Sequence, residues 1–151
     1  MSLRNAIDAA TARLAAVPNI KNVYSYRREA RSIDQFLALF KDPTAKNIHA
    51  WMVTREATAT VDEESQAYSR THTIVMLGYL SVNDLANSEG TFQDLIEDAC
   101  AAFDPLNARQ YGGQFNWSTG LSVDGPTTLM YGAVLCHACK LTTKIREYPL
   151  I

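Results

Sequence analysis

No apolar run in this chain approaches the roughly 20 residues that span a bilayer; Thr73 to Leu80 and Leu129 to Ala138 are the longest. A membrane-spanning helix is thereby excluded. The chain opens without a basic-then-apolar leader, which predicts a soluble protein not exported by a signal peptide. Cysteine is sparse: Cys100, Cys136 and Cys139 leave one thiol over in any pairing scheme, which predicts a reducing compartment. Missing too are internal repeats and low-complexity linkers. What is present is ordinary globular material, 47% hydrophobic and 20% charged, in 151 residues. That is enough for one domain, residues 1–151, with a core that needs no metal or disulfide.

Charge of one sign is lacking in two places. The first 31 residues carry six basic groups against Asp8 and Glu29. Residues 56–104 carry ten acidic groups, Asp62, Glu63 and Glu64 among them, against Arg70 alone. The net charge of −2 gives no general affinity for nucleic acid or membrane. Its uneven distribution reads either as a solubility feature or as one positive and one negative surface on the same subunit, which would favour head-to-tail contact between copies.

The most regular stretch is Ser88 to Asp104. Phe92, Leu95, Ile96, Ala99, Cys100 and Phe103 recur at helical spacing, with Asp94, Glu97 and Asp98 on the opposite side. Thr91 and Asp94 have capping-box spacing, Ser88 is a competing cap, and Asp104-Pro105 is the stop. Leu3, Ile7, Ala10, Leu14 and Val17 predict an earlier amphipathic helix over 3–16. Ser32 and Gln35 cap a short one carrying Ile33, Phe36, Leu37 and Phe40. Strands are predicted over Ile20 to Tyr26, Ile48 to Thr58, Tyr68 to Leu80, Trp117 to Val123 and Leu129 to Arg146. Asp62-Glu63-Glu64-Ser65 reads as a charged hairpin tip, and Asp124-Gly125-Pro126 as a turn. Hairpins stand where parallel crossovers would otherwise be. This predicts an α+β fold, a mainly antiparallel sheet of about four to five strands packed against two to three helices.

Chemistry is harder to find. In Cys136-His137-Ala138-Cys139, strand alternation points Cys136 away from His137 and Cys139, so the two thiols cannot jointly grip one metal without a bulge. His137, in line with Leu135, Cys139 and Leu141, reads as a satisfied core histidine. Gly112-Gly113 lacks the GK[ST] of a phosphate loop, and neither G-x-S-x-G nor H-E-x-x-H occurs. Tyr24, Tyr26, Arg27, Arg28 and Arg31 mix aromatic and basic groups as a single-strand nucleic-acid surface does, but the patch is short and the chain acidic. The expectation is a protein that is not an enzyme and has no metal, no cofactor and no specific nucleic-acid partner.

Taken in order, the long strand Tyr68 to Leu80, a loop, SEGTFQDLIEDACAAF at 88–103, VDGP at 123–126 and GAVLCHACKL at 132–141 resemble tail terminator and related minor tail proteins of long-tailed bacteriophages and prophages, the lambda-type family. The resemblance covers about half the chain, and the amino-terminal helix and first strand match that family in layout. The aromatic stretch Tyr111 to Trp117 has no counterpart in it. It implies a subunit that forms a ring, hexameric by expectation, on the end of the tail tube, stops tube polymerisation and offers a head-joining surface. The implied partners are further copies of itself, the tail tube protein and a head-completion or neck protein. The implied location is the virion tail, reached from the host cytoplasm during assembly. Arg27, Arg28 and Arg31 with Asp62, Glu63 and Glu64 are the expected contact residues. The alternatives are another head–tail connector, an enzyme using His137 and Cys139, or a nucleic-acid-binding domain.

Overall fold

The computed structural model describes residues 3–29, 32–41, 48–62, 68–104, 115–118, 120–132 and 134–147. In chain order the elements are α1 (Leu3–Ala15), β1 (Val23–Tyr24), α2 (Ile33–Phe40), β2 (His49–Asp62), β3 (Tyr68–Ser81), a 3-10 turn (Asp84–Ala86), α3 (Ser88–Ala102), β4 (Phe115–Ser118), β5 (Ser122–Tyr131) and β6 (Val134–Glu147). The fold is α+β, as the order of hairpins and helices predicts. The sheet runs β1-β2-β3-β6-β4, with β5 also paired to β6. Among the described residues only the β1–β2 pair is parallel. Strands β4 and β5 follow one another along the outer side of β6, the first beside Ile145–Glu147 and the second beside Val134–Thr142.

Strand alternation sends side chains to two separate cores. On one face, Trp51, Val53, Ile74, Met76, Leu141 and Ile145 meet the apolar stripes of α1 and α3. From α3 come Phe92, Leu95, Ile96 and Ala99, all buried, while Asp94, Glu97 and Asp98 face solvent. Each large apolar side chain removed from water contributes about 1.5–3 kcal/mol. The Trp51 ring stacks on Phe92 at 5.8 Å and lies across Gly78, where a Cβ would collide with it. Glycine is required at that close approach. On the other face, Phe36 and Phe40 of α2 cover Ile48, Ala50, Met52 and Cys136, with Tyr24, Tyr79 and Tyr131 around them. Thus β2 is clothed on both sides only near its start; Arg55 to Thr60 are exposed.

Several boundaries differ from expectation. The cap of α3 is neither Thr91 nor Ser88 but Asn87, whose left-handed backbone (φ 51°) lets Oδ1 accept the Gly90 N–H at 3.2 Å. By contrast α2 is capped as its spacing predicts, Ser32 Oγ accepting the Gln35 N–H. The strand expected over Ile20 to Tyr26 contracts to two residues, because Asn19 and Asn22 both adopt positive φ. Strand β2 runs past Thr58 to pair Asp62 with Tyr68. Asp124-Gly125-Pro126 is not a turn: it lies inside β5 as a register shift between Asp124 and Thr127, with a cis Gly125-Pro126 peptide. A proline that cannot donate to a ladder is tolerated there because β5 is an edge strand and the site is bulged. The stretch Leu129 to Arg146 is two strands rather than one, folded back at Gly132, whose φ of +60° suits glycine.

Candidate functional site

The basic aromatic patch expected from the sequence stands at the β1 edge of the sheet. Asn22 holds the edge in place, its Nδ2 donating to the carbonyls of Lys41 and His49 at 2.9 Å each, while its own carbonyl accepts the Trp51 N–H. This ties β1 to the start of β2 and to the end of α2. The Tyr24 hydroxyl donates to the Leu39 carbonyl. Beyond β1 the Arg28 guanidinium lies over the Tyr24 ring at 4.9 Å and the Tyr26 ring at 5.1 Å. Stacking of this kind fixes the direction of a long cation that would otherwise sample many rotamers. Tyr26 is half exposed and Arg27 exposed. Burial raises the Tyr79 hydroxyl above its ordinary range, with the positive charge of Arg27 opposing the shift.

Of the other expected contact residues, Arg31, Glu63 and Glu64 lie outside the described residues. Asp62 closes β2, paired with Tyr68 at the far end of the hairpin. Ten residues separate it from Met52, the partner of Tyr24, so at about 3.4 Å per residue the two charged regions are roughly 30 Å apart along the strand. Arg27 and Arg28 are brought together, and Asp62 is held well away from them.

A second polar feature escapes sequence pattern altogether. Ser88, the first residue of α3, has its Oγ 2.8 Å from His137 Nε2 and accepts the Asn83 N–H at 2.7 Å. Phe92 stacks on the imidazole at 6.1 Å. The pair itself lines a cavity of about 280 Å³, together with Asp84, Asn87, Glu89 and Pro126 to Thr128. A serine–histidine hydrogen bond of this length is the geometry of an activated nucleophile. Here, however, both groups are buried, and the hydroxyl links the turn before α3 to β6. The pair braces the helix start, and His137 is the satisfied core histidine its neighbours predict. Only the 49-residue separation hid the partner, because no local spacing links the two.

The cysteines are placed as strand alternation requires, Cys136 in the α2 core and Cys139 in the α1–α3 core. Burial pushes the Cys136 thiol up to about 11 and the Cys139 thiol up to about 12. Protonated, enclosed thiols are poor nucleophiles and poor metal ligands. Among the described residues no group of three histidine, cysteine or carboxylate side chains could hold a metal ion, and no helix is long and apolar enough to cross a membrane. No protein-family model matches the chain, and no curated protein sequence matches it.

Proposed function

We propose that this protein is a structural subunit of a long-tailed phage tail: copies join head to tail into a ring, hexameric by the resemblance, on the end of the tail tube. The ring ends tube polymerisation and presents a surface to a head-completion or neck protein. The observation that carries this reading is the exposed outer edge of β2. Strand β1 covers only Trp51 and Met52, so among the described residues the edge from Thr54 to Asp62 has β3 on one side and no strand on the other. That edge carries Arg55, Glu56 and Asp62 and a register shift between Arg55 and Ala57, and between them Ala57-Thr58-Ala59-Thr60 holds neither charge nor proline. Open edges invite further pairing, and a protein that displays them beside oriented charge is suited to assembly. A head-to-tail contact that closes on itself satisfies such edges without forming an open fibre.

The test is negative-stain electron microscopy with mass determination on the same samples, over a concentration series reaching about 1 mM, the effective concentration a neighbour experiences on a template. Rings with a central hole of tube-like width are expected. A protein that stays monomeric throughout overturns the proposal.

A further inference from the structure

The sheet ends, on the side opposite Tyr26, in a corner of the contrary character. There the chain leaves β3, makes the 3-10 turn and enters α3, while the β5–β6 hairpin folds back beside it. The Val82 N–H donates to the Leu135 carbonyl at 3.0 Å, fastening the turn to the hairpin. Leu135 is paired in register with Met130. Leu85 is 101% exposed, Met130 61% and Leu135 46%, so this corner displays three large apolar side chains to solvent. Single exposed apolar residues are ordinary; here Met130 and Leu135 are paired across the hairpin, and Leu85 projects from the turn that the Val82–Leu135 hydrogen bond fastens to it. Asp84 and Glu89 stand exposed beside them. No lysine or arginine occurs from Thr71 to Asp104 or from Ser122 to Cys139, so nothing within either segment neutralises these carboxylates.

The partner for such a surface should be cationic and able to cover apolar side chains with a rigid ring. The β1 corner fits that description, with Tyr26 50% exposed and Arg27 and Arg28 beside it. The strand order puts β1 at one end and β5 outside β6 at the other, about four strand spacings or roughly 19 Å. The Arg28 N–H lies against Met52 Sδ on the α2 face, whereas Leu135, in line with Cys139 and Leu141, and its partner Met130 lie on the α1–α3 face, so the sheet stands between the two corners of one copy. We infer that the acidic apolar corner of one copy (Asp84, Leu85, Glu89, Met130, Leu135) docks on the Tyr26–Arg27–Arg28 corner of the next, forming the head-to-tail contact. This rests on the ring reading and replaces Asp62, Glu63 and Glu64 with Asp84 and Glu89 as the acidic partners. Leu85 and Met130 supply area, the arginines supply register and orientation, and Tyr26 closes over the apolar side chains.

The test uses two variants of the full chain, Asp84→Arg with Glu89→Arg, and Arg27→Glu with Arg28→Glu. Each variant alone places like charges across every contact and should need at least about tenfold more protein to assemble than the wild type. An equimolar mixture places opposite charges across every contact of an alternating ring, so assembly should return to within about threefold of wild type. Circular dichroism of each variant alone checks that it is folded. Two folded variants that each assemble like the wild type overturn the inference and leave the ring reading standing. So do folded variants that fail alone and remain unrescued when mixed. A wild type that is monomeric at every concentration removes the ring reading along with the inference.

Discussion

At the scale of the residue, burial rather than partnership sets the chemistry of the thiols. Cys136 and Cys139 stand three positions apart on β6 and enter different cores, and each holds its proton well beyond the ordinary value of 9. The unfolded chain releases these protons from about pH 9, whereas the folded chain keeps them to about pH 11 and 12. Between those limits the folded state binds more protons, so stability falls as pH rises, by at most about 1.4 kcal/mol per pH unit for each thiol. Tyr79 and Tyr131, raised mainly by burial, act in the same direction. Urea unfolding should therefore give a lower free energy near pH 10 than near pH 8. Cys136→Ala, though less stable at both, should show the shallower decline. A decline of equal slope in the variant would mean that the thiol does not titrate as its burial dictates.

At the scale of the element, what could be read from the sequence was whatever repeats with the period of a helix or strand. The stripe Phe92, Leu95, Ile96, Ala99 and Phe103 is buried as its spacing predicts, and Trp51 with Val53 faces the opposite core from Ala50 with Met52. Boundaries were less legible, because they depend on backbone angles that different residues satisfy in different ways. Thr91 has the spacing of a cap, yet Asn87 takes the position, since asparagine tolerates the left-handed region and its short side chain reaches the Gly90 N–H. Asp124-Gly125-Pro126 has turn chemistry, yet β6 supplies a ladder on either side of it and the tripeptide becomes a bulge. The Ser88–His137 brace could not be read at all, because it depends on tertiary placement. Asn87 carries a direct test. Asn87→Ala loses the side-chain acceptor and also forces an alanine to positive φ, so it should cost about 2–3 kcal/mol. Asn87→Gly loses the acceptor but adopts the backbone freely, and should cost about 1 kcal/mol. Chemical denaturation of the two variants measures the difference. Equal losses would show that the left-handed backbone contributes nothing to the start of α3.

At the scale of the whole molecule, the charge imbalance along the chain is only partly a separation in space: Arg27 and Arg28 follow β1 and Asp84 and Glu89 sit at the turn and start of α3, but Arg13 of α1 reaches the Ala102 carbonyl at the end of α3. Leu85 separates folding from assembly at this scale. Its side chain is fully exposed on a turn held by the Asn83–Ser88 and Val82–Leu135 hydrogen bonds, none of which involves the leucine side chain. Leu85→Ser should therefore leave the unfolding free energy of the monomer within about 0.5 kcal/mol of wild type. In the ring the same change removes an apolar side chain from the proposed contact, where a buried leucine contributes about 1.5–3 kcal/mol, and half-assembly should require roughly tenfold more protein. Salt provides the complementary measurement, because it screens the arginine–carboxylate part of the contact and spares the leucine part. Raising sodium chloride from about 0.1 M to about 1 M shortens the screening length from about 10 Å to about 3 Å. Assembly should weaken over that range in both proteins, and the gap between wild type and Leu85→Ser should persist at high salt. If the gap closes as salt rises, the leucine acts only through the charges around it. If there is no gap at any salt, Leu85 stays in solvent in the assembly and the contact lies elsewhere on the sheet.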